Sequence, residues 1–339
     1  MILILSQEAT HETVEQLVER LTWMGFVVRP THHDGHFAIA VIHGADKKTN
    51  FDAFTSLPQV ERVAPLSHPY KLAAREFSTK PTVFDLKGTK VGSGFFTLMV
   101  GPCSIESKEQ LQACAEAMKK EGIRFLRGGA FKPRTSPYSF QGMGEEGLKL
   151  IKDVADEFDL LTVSEVMDGD QIDLLTEYCD VLQVGARNMQ NFTLLKKLGQ
   201  CGKAVFLKRG MSATYQDLLM SAEYVLEKGN DQVFLCERGI RTFETYSRNT
   251  LDIAAAPILQ ELSHLPVFID PSHGVGIRKM VPPLAYASLA AGADGAMVEM
   301  HPHPDKALSD KQQTISLETF HEMVQKLKKM SALFNKTVN

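Results

Sequence analysis

Apolar positions along the chain follow two different rhythms. The first runs to about residue 67. Ile2–Leu5 is a short apolar run of strand type. Thr10, with Thr13 three residues on, marks a helix start, and Val14, Leu17, Val18, Leu21 and Met24 then recur at helical spacing. Gly25 ends that helix and Phe26–Arg29 reads as a strand. Asp34-Gly35 is a two-residue hairpin signal, and Phe37–Ile42 is the returning strand. A short helix around Phe51–Leu57 and a strand over Val60–Pro65 complete a βαββαβ order, the ferredoxin-like arrangement. A linker from Ser67 to about Pro81 follows, and two apolar runs around Lys87-Gly88 predict a hairpin.

From Phe96 the rhythm becomes a regular alternation. The strands are Leu98–Gly101, Arg124–Arg127, Leu161–Glu165, Leu182–Gly185, Val205–Lys208, Val233–Glu237, Val267–Asp270 and Ala296–Glu299. Helical stretches between and after them include Glu109–Glu121, Glu145–Phe158, Asp170–Tyr178, Tyr215–Lys228 and Leu317–Leu333. Eight such units predict an α/β fold of the (β/α)8 TIM-barrel type. A doubly wound sheet accounts less well for eight regular units, and its G-x-G-x-x-G turn is missing. The chain therefore divides into a ferredoxin-like domain over 1–67, a linker and hairpin over 68–95, and a barrel over 96–339.

Composition narrows the classes. The chain is 44% apolar and 23% charged, an ordinary globular balance. A net charge of −4 leaves no basic excess for nucleic acid. No apolar stretch is long enough for a membrane span, and MILILSQEAT lacks the basic region of a signal peptide. Five scattered cysteines do not form a disulfide framework, which points to a reducing cytoplasm.

A TIM barrel carries its site at the C-terminal ends of its strands. Those ends here are Gly101-Pro102-Cys103, Arg127, Glu165, Arg187, Lys208-Arg209, Glu237-Arg238, Asp270-Pro271-Ser272-His273 and Glu299. They sort into two chemistries. Cys103, His273 and Glu299, with Asp310 in the following loop, offer sulfur, nitrogen and oxygen. Such a mixed set suits a divalent transition metal such as Mn, Fe, Co or Zn better than Mg. His301 and His303 stand nearby as rival ligands, although their flanking prolines make them loop residues. The other four cysteines read as small buried apolar residues. The second chemistry is cationic: Arg127, Lys132, Arg134, Arg187, Lys208 and Arg238. Guanidinium forks bind phosphate and carboxylate, and Lys132-Pro133-Arg134-Thr135-Ser136 reads as a phosphate site. Two anionic substrates beside a metal suggest either carbonyl polarisation with carbon–carbon bond formation or phosphate-ester chemistry.

The runs GPCSIES (101–107), RGGAFKPRTSPYSFQG (127–142), QVGARNMQNF (183–192), LKRG (207–210), LCERGIRTFE (235–244), RNTLDI (248–253), DPSHG (270–274) and VEMHPHPDKALSD (298–310) closely resemble the 3-deoxy-D-arabino-heptulosonate 7-phosphate (DAHP) synthase family. The match is to the short microbial form with an N-terminal ferredoxin-like domain. The resemblance implies condensation of phosphoenolpyruvate with erythrose 4-phosphate, the entry to the shikimate pathway. It implies metal ligands Cys103, His273, Glu299 and Asp310. It places phosphoenolpyruvate on Arg127, Lys132, Arg187, Lys208 and Arg238, with the backbone at Gly185 and Ala186 closing on the phosphate. Erythrose 4-phosphate falls to Arg134, Thr135 and Ser136, the attacking water to Glu165, and the general-acid role to Lys132. It further implies a cytoplasmic homotetramer and a tyrosine or phenylalanine effector at the N-terminal domain. The nearest alternative is the octulosonate 8-phosphate synthase, which takes arabinose 5-phosphate and lacks that domain. A non-catalytic sensor of phosphorylated metabolites is a third reading, disfavoured by the intact metal quartet. His32, His33 and His36 crowd the hairpin and read as exposed turn residues.

Overall fold

The structure, a computed structural model, describes residues 1–33, 35–44, 52–132, 138 and 140–339. It forms two units, residues 1–82 with 261–264 and residues 83–260 with 265–339.

The first unit contains β1 (Ile2–Leu5), α1 (His11–Trp23), β2 (Val27–His33), β3 (His36–His43), α2 (Asp52–Thr55) and β4 (Val60–Ala64). Thr10 caps α1 through a reciprocal pair: its hydroxyl accepts the Thr13 N–H at 3.3 Å, and the Thr13 hydroxyl accepts the Thr10 N–H at 3.2 Å. The helix buries Val14, Leu17 and Leu21 against Leu3, Leu5, Ile39 and Val41. The sheet order is β2-β3-β1-β4 with every neighbour antiparallel, as a ferredoxin-like domain requires. β2 runs four residues beyond the expected Arg29. It is an edge strand, so Pro30 can lie in it without removing a ladder hydrogen bond. His33 pairs with His36, which leaves a two-residue turn in which Gly35 has φ +86°. Asp34 of that turn and Phe51 of the expected short helix lie outside the described residues. His32 is exposed beside the Phe37 ring at 4.9 Å, whereas His36 Nδ1 lies 3.0 Å from the Leu5 carbonyl oxygen.

The second unit opens with the hairpin β5 (Val83–Leu86) and β6 (Thr89–Gly92). Then come β7 (Phe95–Gly101), α3 (Lys108–Glu121), β8 (Phe125–Arg127), α4 (Gly144–Phe158), β9 (Leu161–Val166), α5 (Ile172–Tyr178), β10 (Val181–Val184) and α6 (Phe192–Leu198). The order continues with β11 (Ala204–Lys208), α7 (Tyr215–Glu227), β12 (Val233–Glu237), α8 (Ala255–Leu262), β13 (Val267–Ile269), α9 (Pro271–Val275), α10 (Val281–Ala290), β14 (Gly295–Glu299), α11 (Leu317–Ser331) and β15 (Thr337–Val338). Strands β7 to β14 pair in parallel in sequence order, and β14 pairs back onto β7 to close a TIM barrel. The short β15 adds to the start of β7.

Two boundaries shift for local reasons. β10 stops at Val184 because Gly185 leads into a 3-10 turn over Ala186–Asn188. β13 stops at Ile269 because Asp270 caps α9, accepting the His273 N–H at 2.9 Å. α10, with the sequence VPPLAYASLA, has no polar face, so periodicity does not announce it.

Side chains alternate in and out along each strand. The inward stripe is apolar at the starting ends: Phe125, Leu161, Val181, Ala204, Phe206, Phe234 and Phe268 meet in one cluster with Phe84 and Val91 of the hairpin. Phe84 packs edge-on against Phe234, with ring centroids 5.2 Å apart. The hairpin thus plugs the end of the barrel where the strands begin. Replacing Phe84 with alanine is expected to cost about 3 kcal/mol of stability through the cavity it leaves. Denaturant unfolding checks this, and the folded variant should keep its full activity because the strands' far ends are untouched.

Candidate active site

At the far ends of the strands the inward stripe turns polar. Gly101, at the end of β7, lets β8 come close, since a Cβ there would collide with the carbonyl oxygen of Arg127. The buried Arg127 donates from NH1 to the Pro102 carbonyl oxygen (2.8 Å) and to Glu299 Oε1 (3.2 Å). Its Nε is buried with no hydrogen-bond partner among the described residues. An unpaired buried donor of this kind costs stability and marks a place for an acceptor from outside the protein.

Around Glu299 the four expected ligands converge. Ligand atoms of Cys103, Glu299 and Asp310 all lie within 4.8 Å of one another. Cys103 Sγ is 3.3 Å from Asp310 Oδ2, and His273 Nε2 is 3.2 Å from Glu299 Oε1 and 3.8 Å from Asp310 Oδ2. Burial, reinforced by the Glu299 charge, pushes the Cys103 thiol up to about 12. The other ring nitrogen of His273, Nδ1, faces Asp270 Oδ2 at 2.7 Å. A carboxylate on the far side of an imidazole is the usual support of a metal-binding histidine. A thiol, an imidazole and two carboxylates packed this closely fit a borderline-soft divalent cation, whose charge would draw the thiolate form out of the buried thiol. His301 and His303 are not part of the group: His301 Nε2 lies 3.3 Å from Glu106, and its Nδ1 accepts the His303 N–H.

Beside the quartet opens a cavity of about 260 Å³. Arg127, Lys132, Glu165, Gly185, Ala186, Arg187, Lys208 and Arg238 line it together with His273 and Asp310. Lys132 Nζ reaches both the carbonyl oxygen (2.9 Å) and Sγ (3.1 Å) of Cys103. Lys208 Nζ is paired with Asp270 at 2.5 Å. Burial alone would raise the Asp270 carboxyl, but His273 and Lys208 outweigh it and hold Asp270 well below the usual carboxylate range. Burial lowers the Arg238 guanidinium from its ordinary value, and the neighbouring Arg248 charge adds to this against the opposing charges of Asp270 and Glu237. Glu165 is held through Oε2 by Gln183 Nε2 at 3.0 Å. A Cβ at position 185 would collide with its other oxygen, Oε1, so glycine at 185 makes room for the carboxylate.

Two strand-end residues turn away from this cavity. Arg209 NH1 pairs with Glu237 and with Asp252, at 2.8 Å each, and its guanidinium stacks on Tyr215 at 4.4 Å. Arg134, Thr135 and Ser136 lie outside the described residues. The strand-end reading missed Gln183, Met211, Arg241, Arg248 and Asn249, all of which line the cavity. Three of them stand on the long connection between β12 and α8, and its length is the one signal that could have pointed to them.

Comparison with known proteins is in keeping with this geometry. Residues 76–335 match the DAHP synthetase I family and residues 1–68 match the DAHP synthase ferredoxin-like domain. The chain is 45% identical to a phospho-2-dehydro-3-deoxyheptonate aldolase of Thermotoga maritima, over 100% of both sequences. The crystal structure of the Thermotoga maritima enzyme superposes with a TM-score of 0.80, covering 100% of this chain and 99% of that one. A 2-dehydro-3-deoxyphosphooctonate aldolase of Syntrophobacter fumaroxidans is 33% identical over 72% of this chain and 90% of its own length. By barrel, N-terminal domain and full-length likeness alike, the chain belongs to the DAHP synthetase I family.

Proposed function

We propose that this enzyme condenses phosphoenolpyruvate with erythrose 4-phosphate and water, giving DAHP and inorganic phosphate. The observation that carries the reading is a close group of Cys103, Glu299 and Asp310, with His273 3.2 Å from Glu299, beside a cavity lined by Arg127, Arg187, Lys208 and Arg238. A metal site alone fits many reactions. A metal site beside this many cations fits two phosphorylated substrates that must meet.

Arg127, Lys132, Arg187, Lys208 and Arg238 hold phosphoenolpyruvate, with the free Arg127 Nε available to its oxygens. The backbone at Gly185 and Ala186 closes on its phosphate, and Arg134, Thr135 and Ser136 take the phosphate of the tetrose. Cys103, His273, Glu299 and Asp310 would hold a divalent metal, which would supply Lewis-acid polarisation of the tetrose aldehyde. The nucleophilic enol carbon bonds to the aldehyde carbon. Lys132 protonates the resulting alkoxide. Glu165, oriented by Gln183, orders a water through Oε1 for addition to the carbon that bears the phosphate. Cleavage of that carbon–oxygen bond then releases phosphate. The N-terminal domain serves as the binding module for an aromatic amino-acid effector.

Lys132→Met is expected to lower turnover by about 10²–10⁴-fold, the contribution of a general acid, while metal content stays unchanged. Phosphate release and elemental analysis of the same preparation check both halves. In ¹⁸O-labelled water the label is expected in the sugar product and not in the phosphate; label in phosphate would sink the proposed bond cleavage. Side-by-side assay with arabinose 5-phosphate separates the octulosonate reading, which predicts faster turnover of the pentose. Truncation near Ser67 should leave turnover and remove inhibition by tyrosine or phenylalanine.

A further inference from the structure

We propose that Glu106 is a positioning residue for the metal quartet, acting by clamping the loop that carries Asp310 onto the loop that carries Cys103; this rests on the metal-centre reading above. The two ligands come from opposite ends of the barrel sequence. Cys103 stands just beyond β7, and Asp310 stands at the end of an excursion that leaves β14 at Met300 and returns by Ile315, whose N–H donates to the Glu299 carbonyl oxygen at 3.0 Å. Strand pairing fixes the roots of both loops, since Glu299 lies opposite Gly101. It does not fix the tip, where Asp310 sits at φ +47°, a left-handed conformation that is uncommon outside glycine, asparagine and aspartate.

Glu106 helps to hold the loop there, beside Arg248, which reaches Asp310 Oδ1, and the Gln313 and Thr314 N–H groups, which donate to the Asp310 carbonyl oxygen. Glu106 Oε1 accepts the Leu308 N–H at 2.9 Å, two residues before Asp310. Its Oε2 faces His301 Nε2 at 3.3 Å, at the other end of the excursion. His301 Nδ1 accepts the His303 N–H at 2.8 Å, which leaves Nε2 to carry the ring proton toward Glu106. A second tie runs in parallel, with the hydroxyls of Ser104 and Ser309 2.6 Å apart and both residues buried. One carboxylate thus ties residue 301 to residue 308, and Glu106 is itself only three residues from Cys103. This gives a role to His301, the rival ligand of the sequence reading: it acts on the quartet through Glu106.

The test is a cobalt(II) titration of the chelator-treated full-length protein, followed by the thiolate-to-cobalt absorption that only a Cys103-bound ion produces. Glu106→Ala is expected to weaken cobalt affinity about 10–100-fold, the range for residues that support metal ligands. Glu106→Gln, which still accepts the Leu308 N–H, should recover most of it. Equal affinity in wild type and folded Glu106→Ala overturns the inference. If Glu106→Ala does not fold, Glu106→Asp decides: the shorter carboxylate cannot reach both Leu308 and His301 and is expected to weaken cobalt binding several-fold, and unchanged affinity overturns the inference. Absence of the thiolate band in the wild type would instead remove the metal-centre reading, a different failure.

Discussion

The closed parallel barrel forces every second strand residue inward, and at one end those residues carry charge. Several of them are paired across the ring, because a buried charge without a partner is strongly unfavourable. The partners come from different strands. Arg127 on β8 meets Glu299 on β14, and Lys208 on β11 meets Asp270 beyond β13. Asp270 also holds His273. Removing one member of such a pair typically costs about 3–5 kcal/mol, because the other is left uncompensated. The pairs exist only in the closed ring, so the charge that makes the site reactive is also a condition on the fold.

The same alternation divides the barrel by height. Phenylalanines and the hairpin fill the end where the strands begin, and cations and ligands occupy the other. Phosphooctonate aldolases match about seven-tenths of this chain, whereas the Thermotoga maritima relative matches all of it and the ferredoxin-like domain is matched separately.

Much of this was legible in the sequence for a physical reason. Buried parallel strands are short apolar runs, and in a barrel the residue after each run faces a common mouth. The strands, Cys103, His273, Glu299 and the cluster of cations could therefore be read directly. What could not be read depends on which strand lies opposite which. Arg209 and Arg238 look alike as strand-end arginines, yet one is sequestered by Glu237 and Asp252 while the other lines the cavity. His301 looks like a ligand until Glu106 is seen to occupy it. Arg241, Arg248 and Asn249 belong to an irregular connection with no period to betray its direction. β15 is two residues long and is defined by its pairing with β7, so it has no pattern of its own.

The seam between β7 and β14 has a consequence for how the protein is made. β7 is the first barrel strand to be synthesised, and β14 is the last of the ring. Until β14 arrives, one edge of β7 has no permanent neighbour, and an open apolar edge is a surface on which chains stick to one another. Contacts so distant in sequence also form slowly. The arrival of β14 therefore both completes the ring and covers the edge on which the nascent chain is most prone to aggregate.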